Sequence, residues 1–265
     1  MENIQALATM PTKTVKSLFS HRHELNSALI MPLLESAEAS ELISSCGKLG
    51  RDPSSDYFTT RTKNIAYVLC LNGEWFQIRA RCFTQPQSYN DFSGGYKRCY
   101  REMPKQFIKC RATQKVLNVF KSTNNIPDNE PILVQVQQSR VTAETEGMCL
   151  TGQGIHTDGA DRAMLVCLER NNITGAKNAI YADLEGKRSL VEPFVLREGQ
   201  AMLWHDNQVF HDVQPAQIIA PEKEGTRTVL IAHYPAIHYL KGTVNPNNNL
   251  GTNTVEQKIR LRNKV

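Results

Sequence analysis

The chain has 265 residues, 40% hydrophobic and 22% charged, with a formal net charge of +5. That length can bury a sizeable core and suits one large domain, 1–265, while no apolar stretch is long enough to cross a bilayer or to mark a signal peptide. The seven cysteines are odd in number and contain no Cys-x-x-Cys pair, so they indicate neither a disulfide framework nor a zinc ribbon and fit a reducing, cytoplasmic setting.

In chain order, residues 13–48 read as helical, with apolar positions at Val15, Leu18, Phe19, Leu25, Leu29, Leu33 and Leu34. This makes 1–50 a helical N-terminal extension. A turn-rich break with Gly47, Gly50 and Pro53 follows. Strands are expected at 65–71 and 75–83, joined by the hairpin dipeptide Asn72-Gly73. Ser93-Gly94-Gly95 marks a loop, 113–121 a short helix and 131–141 a strand. Short strands then recur at 147–156, 163–168, 178–183, 194–197, 201–205, 209–214 and 226–234, with Gly159, Gly175, Gly186 and Gly199 in the turns. Closely spaced short strands argue for a sandwich or barrel rather than βαβ units. Residues 245–251 read as a polar loop, and 258–264 as a short basic tail of the kind usually found solvated.

The chemistry concentrates in Gly-Ile-His156-Thr-Asp158-Gly, answered downstream by His211. Two histidines and one carboxylate are the ligand set of the facial triad that holds ferrous iron with open positions, and the set lacks the thiolates a structural zinc prefers. On an extended segment His156 and Asp158 point to the same face, so they can clamp one ion from a strand end. His205 rivals His211 for the third place. His205 ends an apolar strand, whereas His211 starts the next one. Arg227 opens the following apolar strand.

Taken together, "GIHTDG", "ERNNITGAKNAIY", "GQAMLWHDNQVFHDVQP" and "TRTVLIAHY" resemble the iron- and 2-oxoglutarate-dependent dioxygenases, and most of all the bacterial free-amino-acid hydroxylases of the isoleucine dioxygenase type. The likeness runs over 153–234 and more weakly upstream through "IRARCF", "GGYKRCYREMP" and "QVQQSRV". It implies a mainly β fold, a double-stranded β-helix of the jelly-roll or cupin-like kind with N-terminal and flanking helices. The 131–235 core would carry the metal at its open end. It also implies Fe(II), with 2-oxoglutarate and O2 as cosubstrates, and hydroxylation of a small molecule such as a free L-amino acid, releasing succinate and CO2.

Within that resemblance, the distal carboxylate of 2-oxoglutarate needs a buried cation, and Arg227 is the candidate because a guanidinium matches a carboxylate bidentately and stays charged. Gln138 is a candidate to hydrogen-bond the same cosubstrate. A substrate carboxylate would need a second cation, and Arg79, Arg81, Arg98 and Arg140 are the candidates. Arg79 and Arg81 share parity on one expected strand. Asp206 and Asp212 are read as supporting residues beside the metal. No nucleic-acid or membrane partner is expected, and the protein is expected to act as a monomer or homodimer. Oxidation of a macromolecule and a metal-free β-sandwich binding module are the alternatives, the first marked by salt-dependent nucleic-acid binding and the second by failure to bind iron.

Overall fold

The computed structural model describes residues 28–54, 61–89, 94–151 and 154–236. The expected helix at 13–27, the loop at 245–251 and the basic tail lie outside the described residues. The chain begins with β1 (Ala28–Pro32), α1 (Ser36–Ser45) and β2 (Gly50–Arg51). Residues 28–32 are therefore a strand where helix was expected. They pair antiparallel with β13 (Gln200–Trp204), so a sheet edge overrides local helix propensity. α1 opens with the Glu38 carboxylate accepting from the Glu35 N–H at 2.8 Å and buries Ala39 and Leu42.

β3 (Arg61–Leu71) and β4 (Glu74–Ile78) follow. Asn72 and Gly73 both take positive φ, 51° and 83°, the combination a two-residue hairpin turn requires. The strand expected at 75–83 stops at Ile78, and the chain then crosses to a small ribbon of β5 (Cys82–Thr84) and β6 (Lys97–Cys99). A disulfide between Cys82 and Cys99 ties this ribbon, so one bridge is present where the cysteine pattern indicated none. The other five cysteines are free. β7 (Arg101–Glu102), α2 (Gln106–Lys109) and α3 (Arg111–Thr123) come next, α3 burying Ala112, Val116, Leu117 and Phe120 at helical spacing.

The remaining strands are β8 (Ile132–Val141), β9 (Arg162–Asn171), β10 (Ile173–Gly175), β11 (Asn178–Tyr181), β12 (Ser189–Phe194), β13, β14 (Phe210–Val213), β15 (Ala216–Ile218) and β16 (Gly225–Tyr234). The large sheet runs β1-β13-β9-β16-β8-β3-β2, with β4 and β7 also paired to β3. A three-stranded sheet runs β12-β11-β14. Ile180 of the small sheet packs with Ala163, Cys167, Met202 and Trp204 of the large one, giving the jelly-roll its two layers. On the other face of the large sheet, Val134, Val136, Met164, Val166, Leu230 and Ala232 form one apolar cluster with Leu42, Val116, Leu117 and Phe120 of the helices. Gly199 lies where a Cβ would sit 2.0 Å from the Leu34 carbonyl oxygen. That contact docks β1 against the turn before β13.

Among the described residues of 147–156, expected as a strand, the one β-bridge joins His156 to His211. Gly147 and Gly154, at φ 77° and 64°, break the run.

Candidate metal centre and cosubstrate cavity

The bridge that ends this loop also builds the site. His156 N donates to the His211 carbonyl at 3.0 Å and His211 N to the His156 carbonyl at 2.8 Å, so two residues far apart in sequence present adjacent rings. The ring centroids are 4.3 Å apart. Asp158 closes the group: Oδ1 is 3.6 Å from His156 Nε2 and Oδ2 is 3.5 Å from His211 Nε2. One ligand atom from each residue lies within 4.8 Å of the others, a cluster able to hold a metal ion. His205 is not part of this cluster.

Each ligand is held from behind. His156 Nδ1 lies 2.8 Å from the Gly154 carbonyl, which can only accept, so Nδ1 carries the proton and Nε2 keeps its lone pair for an ion. His211 Nδ1 lies 3.4 Å from Asp206 Oδ1, an ion-pair approach rather than a well-aligned hydrogen bond. Asp206 is itself fixed by Trp204 Nε1 at 3.0 Å, the Thr157 hydroxyl at 2.8 Å and Ala160 N at 3.0 Å. Thr157, between the two ligands in sequence, points the opposite way and anchors Asp206. Burial pushes the Asp158 carboxyl up, but His233, His156 and His211 outweigh it and hold it well below the usual carboxylate range. Burial disfavours the His211 cation, yet Asp158 and Asp206 raise its pKa to about 10.

An inner cavity of about 110 Å³ opens behind the cluster, and a larger hollow of about 420 Å³ adjoins Asp158 on the outer side, near Tyr89 and Phe210. The inner cavity is lined from alternate positions of β16: Arg227, Val229, Ile231 and His233. Arg227 is 5% exposed, and its Nη2 donates to Asn178 Oδ1 at 3.1 Å. Burial pulls its pKa to about 10, which leaves it charged at neutral pH. Arg227 Nε and Asn178 Nδ2 are buried donors with no hydrogen-bond partner among the described residues. Two adjacent orphaned donors on a buried cation and a neutral amide fit a carboxylate, because leaving such groups unmatched is costly. The triad's two imidazoles and one carboxylate likewise fit Fe(II).

The remaining candidates separate. Arg98 lines the cavity, buried on β6, with its guanidinium 4.5 Å from the Phe83 ring centroid and Nη2 donating to Gln85 Oε1 at 2.9 Å. Gln85 Nε2 in turn donates to the Asp158 carbonyl at 2.7 Å, tying Arg98 to the metal loop. Arg79 and Arg81 are exposed where the chain turns between β4 and β5, so they do not share a strand face. Arg140 is exposed and pairs with Glu224 at 3.2 Å. Gln138 has the outward parity on β8 and donates to the Thr228 hydroxyl, while Gln135 and Gln137 face the cavity. Asp212 lines the cavity with one buried oxygen, Oδ1, that has no hydrogen bond.

Sequence reasoning missed Arg61, Lys63, Gln135, Asn178 and His233. Arg61 and Lys63 lie just before the apolar run from which β3 was read. Their signal was parity, because they alternate in step with Ile65 and Tyr67. Lys63 Nζ lies 3.6 Å from Asp52 Oδ2 and donates to Gln135 Oε1, and Arg61 Nε donates to Asp52 at 2.7 Å. Burial lowers the Lys63 pKa to about 8 against the opposing pull of Asp52. Burial raises the Asp52 pKa less than Lys63 and Arg61 depress it, so it lies far below the carboxylate range.

Three solved structures share the fold at low identity. A bsmA homologue from Methylobium petroleophilum PM1 is 18% identical, with 85% of this chain and 94% of that one covered and a TM-score of 0.66. IDO from Bacillus thuringiensis is 14% identical, with 85% and 96% covered and a TM-score of 0.62. The Fe(II)/α-ketoglutarate-dependent dioxygenase TqaL is 14% identical, with 87% of each chain covered and a TM-score of 0.58. No curated protein matches the chain in sequence. Among the described residues, no helix is long and apolar enough to cross a membrane. The family model for 2OG-Fe dioxygenases matches residues 44–233, most of the chain and all of the metal cluster. The chain thus belongs to the 2OG-Fe dioxygenase family and is an enzyme that uses Fe(II), 2-oxoglutarate and O2.

Proposed function

We propose that this dioxygenase hydroxylates a small carboxylate-bearing molecule, a free L-amino acid, with Arg98 and Lys63 binding its carboxylate. The carrying observation is that the upstream cations lining the cavity are enclosed rather than spread over an open groove. Enclosed cations suit a small anion, whereas a macromolecule needs a surface it can reach. In this reading His156, Asp158 and His211 hold Fe(II), and Arg227 with Asn178 takes the distal carboxylate of 2-oxoglutarate. When bound, iron and 2-oxoglutarate supply the oxidation: one atom of O2 enters succinate as CO2 leaves, and the other enters a substrate C–H bond.

The protein's own part is to hold both carboxylates at fixed distances from the metal and to keep water out. Trp204 and Met202 supply apolar wall, and Asp212 Oδ1 offers an acceptor for a substrate ammonium. The proposed setting is cytoplasmic and rests on the ferrous cofactor; five cysteines are free, and Cys82–Cys99 is the one pair that a reducing setting would open. The deciding experiment incubates the enzyme with Fe(II), 2-oxoglutarate and each proteinogenic amino acid under isotopically labelled O2. Mass spectrometry should find one amino acid gaining a single labelled oxygen atom. Labelling of nucleic acid or a protein side chain, with every free amino acid unchanged, overturns the reading.

A further inference from the structure

His233 ends the inward row of β16 at 3% exposure, and its Nε2 lies 2.8 Å from Asp158 Oδ2. It is not one of the three residues whose ligand atoms converge. The proton on this ring can be traced from the far side of the cavity. The Lys63 ammonium can only donate, and it lies 3.1 Å from Gln135 Oε1. With its oxygen so engaged, Gln135 presents its amide Nε2 to His233 Nδ1 at 3.2 Å. Nδ1 accepts that bond, so the ring's hydrogen sits on Nε2 and is donated to Asp158. Asp52 fixes the start of the chain, with Oδ2 3.6 Å from Lys63 Nζ and 2.7 Å from Arg61 Nε. Lys63, Gln135 and His233 are all buried, so water does not compete strongly for these bonds.

We infer that His233 is a positioning residue for the metal site, oriented by Gln135 and Lys63. By occupying Oδ2 it turns Asp158 so that Oδ1, the oxygen beside His156, is the one presented to the ion. A carboxylate held in this way binds through one oxygen and leaves the remaining positions open. A carboxylate free to rotate can bind through both oxygens and fill a position the cosubstrate needs. The inference rests on His156, Asp158 and His211 being the ligands.

The test uses Co(II), a redox-stable stand-in, titrated against a competing chelator without O2 into the full-length wild type, H233Q, H233N, Q135L and D158A. A glutamine amide can reach the place of the lost Nε2–H, whereas an asparagine amide falls short of Asp158. H233Q should keep near-wild-type affinity and Co(II) absorption. H233N and Q135L should bind one ion about 10–100-fold more weakly, with a shifted Co(II) spectrum and weaker 2-oxoglutarate binding to the Co(II) form. Q135L touches neither Asp158 nor the ion, so it carries the test if H233N does not fold. Wild-type affinity and spectrum in both H233N and Q135L overturn the inference, as does an H233Q variant no better than H233N. Complete loss of the ion in a folded H233N makes His233 a ligand and also overturns it. Wild-type Co(II) affinity and spectrum in D158A overturn the metal assignment instead.

Discussion

Leu230 and Ala232 face the helices, whereas Arg227 and His233, on the same ten-residue strand, face the cavity. Neighbouring strands repeat the division: Val134 and Val136 lie under α3, and Gln135 and Gln137 turn inward. Both faces are shielded from bulk solvent, but for opposite purposes. The helix-covered face removes apolar area from water, at roughly 25 cal/mol per Å², and so drives folding. The cavity face buries three arginines and a lysine, which costs stability unless each meets a partner. Asp52 meets that need for Arg61 and Lys63. Arg227 keeps an unmatched donor, which marks where a ligand belongs. A buried polar face on a central sheet is thus a binding surface supported by the apolar face behind it.

The largest expected effect probes the cavity face at its end. Replacing His156, Asp158 or His211 by alanine should each abolish metal-dependent turnover, whereas H205A should keep most of it. Metal stoichiometry and succinate release measure this. Iron retained by H211A and lost by H205A would reverse the ligand assignment.

A paired experiment asks whether the two faces are separable. R227A should raise the KM for 2-oxoglutarate by the equivalent of about 2–5 kcal/mol, because the cosubstrate's carboxylate is left buried without its cation. Its unfolding free energy should change little, since the charge it removes was costly to bury. L230A on the opposite face should lower stability by about 2–5 kcal/mol in urea unfolding and leave the KM near wild type. An equal KM shift in both variants would show that the faces act as one unit.

This division also explains how much could be read beforehand. The His156–Asp158 pair, His211 and Arg227 were legible because local spacing or a strand start signals them. The hairpin at Asn72-Gly73 was legible for the same reason. Gln135 was not, because a polar residue alternating with apolar ones reads as a solvated strand face when only one layer is considered; Lys63 lies among polar neighbours before the apolar run of β3, and His233 sits inside the apolar run of β16. Gln138, the candidate for the cosubstrate, donates to Thr228 instead, and Gln137 next to it lines the cavity, because parity on β8 is fixed by which face the helices cover. β1 was read as helix because its partner, β13, lies about 170 residues downstream, beyond any local pattern.

A smaller effect follows from pH. Lys63 titrates near 8 in the fold against an ordinary value of 10.5. Between those values the unfolded chain holds a proton that the folded chain has released, so stability should rise with pH across that window. Anion binding should move the other way, because neutral Lys63 no longer attracts a carboxylate. Substrate KM should therefore climb above pH 8, by at most about tenfold per unit, and from a lower pH than in K63M, where only the substrate's own ammonium still titrates. A wild-type KM that is level from pH 7 to 9.5 would remove Lys63 from the substrate site.

The smallest effects belong to three of the arginines that the sequence offered as substrate anchors. Arg79 and Arg81 are exposed at a chain turn, and Arg140 pairs with Glu224 where both side chains are about half exposed. An exposed ion pair contributes about 0–1 kcal/mol, since solvent screens both charges and the long side chains lose entropy in meeting. R79A, R81A and R140A should each shift stability by no more than about 0.5–1 kcal/mol and leave substrate KM and coupling to 2-oxoglutarate decay unchanged. R98A is the contrast within the same group. Arg98 is 5% exposed, and its guanidinium lies against Phe83 and is tied through Gln85 to the backbone of Asp158. Removing it should raise substrate KM and let 2-oxoglutarate be consumed without product, because a substrate lacking its anchor no longer holds a C–H bond beside the metal. If R98A stays coupled while R79A, R81A or R140A uncouples, the anion site lies on the outer surface and the contrast between the two faces does not extend to the substrate.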